Sequence, residues 1–512
     1  MSETTDLTSL AAAVLQPGFV GTTPPDWVRR WLGEGLGGVV LFARNVVDNE
    51  QLATLTAALR AERADVLVAI DEEAGDVTRI ESRRGSSRPG NLALGAVDDV
   101  DLTEAVARDL GAELAAVGIN LDYAPDADVN ANPDNPVIGV RAFGADPELV
   151  ARHTAAWVRG LQSAGVAACA KHFPGHGDTS VDSHLAVPRI AVPRSRLDAC
   201  ELVPFRAAIA AGVQAVMTGH LLVPAIDDEW PATLSRRILT DLLRDELGFQ
   251  GAVITDAIEM RAVTHRYGFA GATVRALAAG ADTICIGGEH ADEADARRLR
   301  DAIVEAVRAG ILPEERLVEA AKRLAQLAAW TGTARVGGTG WAGRGTGGSP
   351  LGLAAARRAV RLTAAPGAGK LPLAGPAHVL EFAPPHNIAT GAETPWGVGE
   401  PLATLLPGTT TLRLTADRLG PDGELPAEAL APARGRPLVL VVRDLHRHSW
   451  MANAVRQALA IRPEAVVVEL GVPAVVIGQL HLATHGASWA AGRAAAEVLA
   501  GRATVEAVVV PS

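Results

Sequence analysis

Eight short apolar runs rich in β-branched residues alternate with helical patterns between residue 14 and about residue 330. In order, the runs are VLQPGFVG, GGVVLFA, DVLVAID, INLDYAPD, VAACAKHF, QAVMTGH, GAVITDA and DTICIG. The segments between them, such as NEQLATLTAALRAE, DLTEAVARDLGAELAAVG and PELVARHTAAWVRGLQSAG, have helical periodicity, and several end in glycine. This alternation predicts an α/β fold with a (β/α)8 TIM-type barrel, whose strands are buried on both faces. A doubly wound open sheet is the alternative, but the GxGxxG turn that would favour it is missing.

The remaining chain predicts a second, smaller C-terminal α/β domain. Residues 331–350, TGTARVGGTGWAGRGTGGSP, are too rich in glycine and threonine to build a core and predict a linker. After it, RPLVLVV, EAVVVEL and PAVVIG are strand-like, whereas LAAARRAVRLTA and SWAAGRAAAEVLAG are helix-like. We therefore expect the barrel over residues 1–330 and the second domain over residues 351–512. Its candidate polar residues near strand ends are Asp444, His446, His448 and His485.

Charge and composition exclude several classes of partner. The formal net charge of -12 repels nucleic-acid phosphates and anionic lipid surfaces, so we expect neither as a partner. The N-terminal MSETTDLTSLAAAVLQPGFV lacks the basic start of a secretory signal, and no apolar run approaches the roughly twenty residues that span a bilayer. Cys169, Cys200 and Cys285 lie in separate apolar contexts and predict buried free thiols. These features favour a cytoplasmic protein.

Polar residues follow four of the predicted barrel strands directly. Asp71 follows VLVAI, Lys171 and His172 follow VAACA, His220 follows AVMTG, and Asp256 follows GAVIT. The carboxyl ends of barrel strands form the active face in enzymes of this fold. The sequence therefore predicts a functional site there, although Asp256 alone is also explained as the N-cap of the helix that follows.

The stretch KHFPGHGDTSVDSH combines three histidines with two aspartates and a lysine. His172 and His176 are spaced like the histidines of an HExxH metal site, but the intervening proline and glycine break helical geometry and no glutamate accompanies them. Three histidines converging on a metal from a loop, and a plain polar surface loop, remain alternatives. Asp182 and His184 are close enough in sequence for the carboxylate to fix the imidazole tautomer, an arrangement typical of a proton shuttle. A catalytic loop is the third alternative.

This stretch, with PDNPVIGVRAFGADPE before it and PATLSRRILTDLLRDELGFQGAVITDAIEM after it, resembles the bacterial β-N-acetylglucosaminidases of glycoside hydrolase family 3. The resemblance extends over about residues 14–330, and the C-terminal part resembles the second domain of two-domain members. It implies a retaining mechanism in which Asp256 is the nucleophile and His184, held by Asp182, is the general acid/base. It also implies that no metal or organic cofactor is required. The residues implied to bind the sugar hydroxyls and N-acetyl group are Asp71, Arg79, Arg141, Lys171 and His172.

The function implied is removal of terminal β-linked N-acetylglucosamine from peptidoglycan fragments or chito-oligosaccharides. A β-N-acetylglucosaminide phosphorylase using the same residues is the alternative, because a neutral histidine does not repel incoming phosphate as a carboxylate would. A metal-dependent barrel hydrolase is a further alternative. A sugar-binding protein without chemistry would lack the nucleophile or part of the dyad, and all three residues are present.

The chain departs from the family pattern beside several of these residues. After Asp71 it reads DEEAGDV where the family usually has DQEGGRV, which places Ala74 at a glycine and Asp76 at an arginine. Asp126 stands where an apolar residue is common, and Gly219 where alanine or another small residue is usual. The positions matched to catalytic roles are intact.

Overall fold

The computed structural model describes residues 6–179, 187–288, 290–334, 348–385, 389–391 and 394–509. The chain packs as two compact units. The first comprises Met1–Glu73, Val100–Ile138 and Ala145–Gly345, and the second comprises Ala74–Asp99, Gly139–Gly144 and Thr346–Ser512. The second unit thus includes two segments that precede residue 330, in addition to the chain expected there.

The first unit is built on eight wholly buried strands: β1 Leu15–Pro17, β2 Gly38–Leu41, β3 Leu67–Ile70, β4 Leu121–Asp122, β5 Ala167–Phe173, β6 Ala215–Thr218, β7 Ala252–Thr255 and β8 Ile284–Ile286. Strands β2 to β7 form a parallel sheet in sequence order, and β1 pairs with β8 in parallel. A parallel bridge between Ile254 and Thr283 links β7 to the start of β8. Each strand lies within one of the eight predicted runs, and the predicted fold class is confirmed.

Helices surround these strands: α1 Leu7–Ala13, α2 Asp26–Gly33, α3 Asn49–Glu62, α5 Val100–Ala116, α6 Pro147–Ser163, α7 Arg194–Ala199, α8 Leu202–Ala210, α9 Arg261–Tyr267, α10 Phe269–Ala279, α11 Glu293–Arg308 and α12 Glu314–Ala334. A π-helical segment covers Arg237–Glu246. Side-chain hydrogen bonds mark the N-termini of two of these helices. The Asp48 side chain accepts from the backbone N–H of Gln51 at the start of α3, and Asp146 caps α6, whose first residue is a proline. None of the helices in the described part of the chain has the length and apolar character needed to cross a membrane.

The second unit is a sheet covered on both faces. Its strands are β9 Arg361–Ala364, β10 His378–Phe382, β11 Thr410–Leu414, β12 Leu438–Val442, β13 Val466–Glu469, β14 Leu480–Ala483 and β15 Ala507–Val509, in the order β11-β10-β12-β13-β14-β9-β15. All neighbours are parallel except β9 and β14. Val439 and Val441 enter one apolar core and Leu440 and Val442 the other, so β12 reads as a continuous apolar run. The helices are α4 Asn91–Val97, α13 Pro350–Ala359, α14 Gly399–Leu405, α15 Ser449–Ile461 and α16 Trp489–Leu499.

Three details of the C-terminal prediction were wrong. The PAVVIG run is a loop that exposes Val475 and Val476, and the strand lies further on, at β14. The predicted helix LAAARRAVRLTA ends at Ala359 and continues as β9, because its last residues pair with β14. Helix α12 continues to Ala334, so the first residues of the predicted linker are helical. In each case pairing and packing outweigh local composition.

Candidate active site

The carboxyl ends of the barrel strands position four of the predicted residues. Asp71 follows the last residue of β3, Lys171 and His172 lie near the end of β5, and Asp256 follows β7. Strands β3, β5 and β7 belong to one parallel sheet, so their carboxyl ends lie on the same side of it. The barrel therefore presents these side chains on the face where TIM-barrel enzymes place their chemistry.

Lys171 holds two carboxylates at the mouth of the barrel. Its Nζ atom lies 2.6 Å from Oδ1 of Asp71 and 2.7 Å from Oε1 of Glu73. The Lys171 side chain is 2% exposed and Asp71 is 23% exposed, so the pair leaves the Asp71 carboxylate accessible while the ammonium is buried. A buried ammonium between two carboxylates is fixed in position and offsets their charge. Sequence reasoning missed Glu73, whose signal was its place two residues after Asp71.

Asp122, the last residue of β4, is a further buried carboxyl group beside this cluster. Its Oδ1 atom accepts a hydrogen bond from the backbone N–H of Glu72 at 2.9 Å. Burial raises the pKa of Asp122 well above its ordinary value, with the charge of Glu72 adding to the effect. The raised pKa favours the protonated form of Asp122 over the form that would add a negative charge to the cluster around Lys171.

The imidazole of His172 is fixed by Asp128. The Nδ1 atom lies 2.7 Å from Oδ2 of Asp128, and Oδ1 of the same carboxylate accepts from the backbone N–H groups of His172 and His176. Burial acts to raise the pKa of Asp128, but the charge of His172 and these hydrogen bonds hold it below its ordinary value. Because an ionised carboxylate only accepts, His172 carries its proton on Nδ1. Asp126, the unusual residue, is fully buried and lies 4.0 Å from Nδ1 of His172.

One group of described residues is arranged closely enough to bind a metal ion. Donor atoms of Asp126, Asp128 and His172 all lie within 4.8 Å of one another. His176 is not a member of this group, and its Nδ1 atom hydrogen-bonds to Oγ1 of Thr179 at 3.0 Å. The rings of His172 and His176 pack edge to face at 5.9 Å, so they are not the paired ligands of an HExxH-type site.

Asp256 is held by hydrogen bonds to both its backbone and its side chain. Its N–H donates to the carbonyl of Thr218 at 3.2 Å, and its Oδ1 atom accepts from the N–H of Ala257 at 2.8 Å. His220 donates from Nε2 to the carbonyl of Ala257 at 3.0 Å and is itself fixed by Thr233 through Nδ1. Helix α9 begins only at Arg261, with Met260 as its N-cap residue, so Asp256 is not a helix cap.

The other predicted site residues are Arg79, Arg141, Asp182 and His184. Arg79 and Arg141 belong to the second unit, where Nη1 of Arg79 donates to the carbonyl of Ala389 at 3.0 Å and the carbonyl of Arg141 accepts from Asn91. Asp182 and His184 lie outside the described residues.

Two of the C-terminal candidates, Asp444 and His485, have structural partners in the second unit. Asp444 accepts from the N–H of Val472, and His448 precedes α15. His485 lies with Nδ1 3.1 Å from the carbonyl of Ala359.

The two residues near Asp71 that depart from the family pattern, Ala74 and Asp76, both lie in the second unit. Ala74 has a φ of 61°, the left-handed conformation that a glycine adopts without strain. Asp76 forms a buried ion pair with Arg443, its Oδ2 lying 2.5 Å from Nη2, while Oδ1 accepts from the N–H of Ala487 at 2.7 Å. An arginine at position 76 would place two guanidinium groups together, so Asp76 and Arg443 suit each other.

Known proteins resemble the chain over the barrel and over its full length. Beta-hexosaminidase A of Pseudoalteromonas piscicida is 36% identical over 331 residues, 60% of this chain and 55% of that protein, so the match spans little more than half of that relative. A beta-hexosaminidase of Stenotrophomonas maltophilia is 41% identical over 279 residues, covering 52% of this chain and 82% of its own length.

A solved structure of a glycoside hydrolase family 3 beta-N-acetylglucosaminidase from Paenibacillus is 34% identical, with a TM-score of 0.86 and 98% of both chains covered. The model of the glycosyl hydrolase family 3 N-terminal domain matches residues 19–327. This protein belongs to glycosyl hydrolase family 3.

Proposed function

We propose that this protein is a retaining exo-β-N-acetylglucosaminidase that removes terminal β-linked N-acetylglucosamine from peptidoglycan fragments or chito-oligosaccharides. The observation that supports this most is the pairing of Asp71 with Lys171 at the carboxyl ends of β3 and β5. Asp256 follows β7 on the same side of this parallel sheet. The fixed carboxylate and ammonium suit recognition of neighbouring sugar hydroxyls, and His172, fixed by Asp128, adds a further hydrogen-bonding group. Such positioning holds C1 of the sugar near the nucleophile.

The chemistry takes two steps. The Asp256 carboxylate attacks C1 while the glycosidic C–O bond breaks, and His184 donates its proton to the leaving oxygen. Water then attacks C1 of the glycosyl-enzyme, His184 accepts the proton from that water, and the C1–O bond to Asp256 breaks to release the sugar with retained configuration. A histidine suits both proton transfers because it titrates near neutral pH without a raised pKa.

Turnover of p-nitrophenyl N-acetyl-β-glucosaminide by the wild type, Asp256→Ala and His184→Ala tests the proposal. Each substitution is expected to lower kcat/KM by at least about 100-fold, whereas Asp134→Ala, on an exposed loop, should leave it unchanged. Activity should survive a chelator and yield free N-acetylglucosamine in phosphate buffer. Formation of a sugar 1-phosphate would establish phosphorolysis, and full activity in Asp256→Ala would overturn the mechanism.

A further inference from the structure

The side chain of Asn135 forms several hydrogen bonds to residues 176–179, which lie between His172 and the predicted dyad. Its Nδ2 atom donates to the carbonyls of His176 and Gly177 at 2.9 and 3.1 Å and lies 3.3 Å from Oγ1 of Thr179. Its Oδ1 atom accepts from the backbone N–H groups of Val137 and Ile138, both at 2.9 Å. Asn135 is 1% exposed, so water does not compete for these bonds.

The pinned residues are also packed against the segment that follows β4. A Cβ atom on Gly177 would lie 1.6 Å from the carbonyl oxygen of Val129, so only glycine fits there. Thr179 hydrogen-bonds to both the carbonyl and Nδ1 of His176, closing the turn on itself. The side chain of Asn132 donates to the carbonyl of Thr179 at 3.3 Å. Residues 176–179 are thus held by Asn132, by Asn135 and by packing against Val129.

We propose that Asn135 is a positioning residue for the proton-transfer step. This inference rests on the proposed function, in which Asp182 and His184 form the acid/base dyad. Those residues follow Thr179 by three and five positions in the sequence, so the orientation of the chain at Thr179 sets where the segment carrying them begins. In Asn135→Asp, the amide donor that faces the carbonyls of His176 and Gly177 would be replaced by an acceptor.

The test exploits the leaving group, because only a poor leaving group needs a proton from the enzyme. The quantity measured is kcat/KM, which for a retaining enzyme reports the steps up to release of the aglycone. It is compared for 2,4-dinitrophenyl N-acetyl-β-glucosaminide, which leaves unprotonated, and for N,N′-diacetylchitobiose, which does not. Asn135→Ala should lower kcat/KM for chitobiose by about 10-fold to 100-fold, while the dinitrophenyl substrate loses less than about 3-fold.

Two reference variants distinguish a loss of proton transfer from a loss of sugar binding. His184→Ala should lower kcat/KM for chitobiose selectively and by a larger factor than Asn135→Ala does. Asp71→Asn should lower kcat/KM for both substrates by a similar factor, because both carry the same sugar. If Asn135→Ala is too unstable to purify, Thr179→Val removes the hydroxyl from the same network with little change in shape and should show the same selectivity.

An equal loss on both substrates, or no loss on either, in Asn135→Ala or Thr179→Val would overturn the inference while leaving the proposed function intact. Failure of the wild type to release N-acetylglucosamine from either substrate would overturn the proposed function itself.

Discussion

Oδ2 of Asp128 lies 2.7 Å from Nδ1 of His172, and both residues are buried. In Asp128→Asn the amide nitrogen would face Nδ1 and favour the opposite tautomer of the imidazole. A hydrogen bond to a charged group contributes about 1.5–3 kcal/mol, so we expect KM for the aryl glucosaminide to rise about 10-fold to 100-fold with a smaller change in kcat. Asp134→Asn is the matched control. An unchanged KM in a folded Asp128→Asn variant would mean that His172 does not need this carboxylate.

Ala74 adopts a left-handed backbone conformation, with a φ of 61°. An L-residue with a Cβ atom pays roughly 1–2 kcal/mol in that region, which glycine avoids. Ala74→Gly should therefore raise the free energy of unfolding by about 1 kcal/mol, measured by urea titration. Ala354→Gly, at an exposed position in α13, should lower it by about 0.5–1 kcal/mol. Destabilisation by both substitutions would show that position 74 is not strained.

The ion pair between Asp76 and Arg443 joins the segment around residue 76 to the end of β12 inside the second unit. The two side chains are only 3% and 14% exposed, and Asp76 also accepts from Ala487. Removing one partner of a buried pair leaves the other charge uncompensated, at a cost of about 3–5 kcal/mol. We expect Asp76→Ala and Arg443→Ala each to lower the thermal midpoint, and a double-mutant cycle to show a coupling of about 1–3 kcal/mol. Strictly additive effects would argue against a specific pair.

The barrel was predictable because its strands are buried on both faces and stay apolar throughout. Strand β11 escaped prediction, since Thr410 and Thr411 are exposed and its sequence, TTLRL, has no apolar run. Strand β9 was missed because its residues were predicted as the end of the helix that precedes it. Local sequence carries little signal for strands whose stability comes from distant partners.

The site was predictable to the extent that residues follow a strand directly. Asp71 and Asp256 do so, and Lys171 and His172 lie among the last residues of β5. Asp128 and Asn135 were missed because they act through residues more than 40 positions away in the sequence. A carboxylate that fixes another side chain shows no motif of its own, so only the folded chain reveals it.

His485 links the stability of the second unit to pH. Burial, together with the charge of Arg361, lowers the pKa of His485 to about 4, from an ordinary value of about 6.5. The unfolded chain therefore binds a proton more readily than the folded chain, and stability falls as the pH drops from about 6.5 toward 4. Between pH 7.5 and pH 5 we expect a loss of about 1–2 kcal/mol from this residue. Asn tolerates the φ of 61° at this position and does not titrate, so His485→Asn should lose less stability on acidification.

Thermal midpoints of the wild type, His485→Asn and His265→Asn at pH 7.5 and pH 5 measure this effect. His265 lies on the exposed side of α9, so its substitution should leave the acid-induced shift unchanged. The acid-induced shift is taken as the difference in thermal midpoint between the two pH values for each variant, because the hydrogen bond from His485 to Ala359 is weakened in His485→Asn at both pH values. An acid-induced shift in His485→Asn as large as that of the wild type would assign the acid sensitivity to other groups.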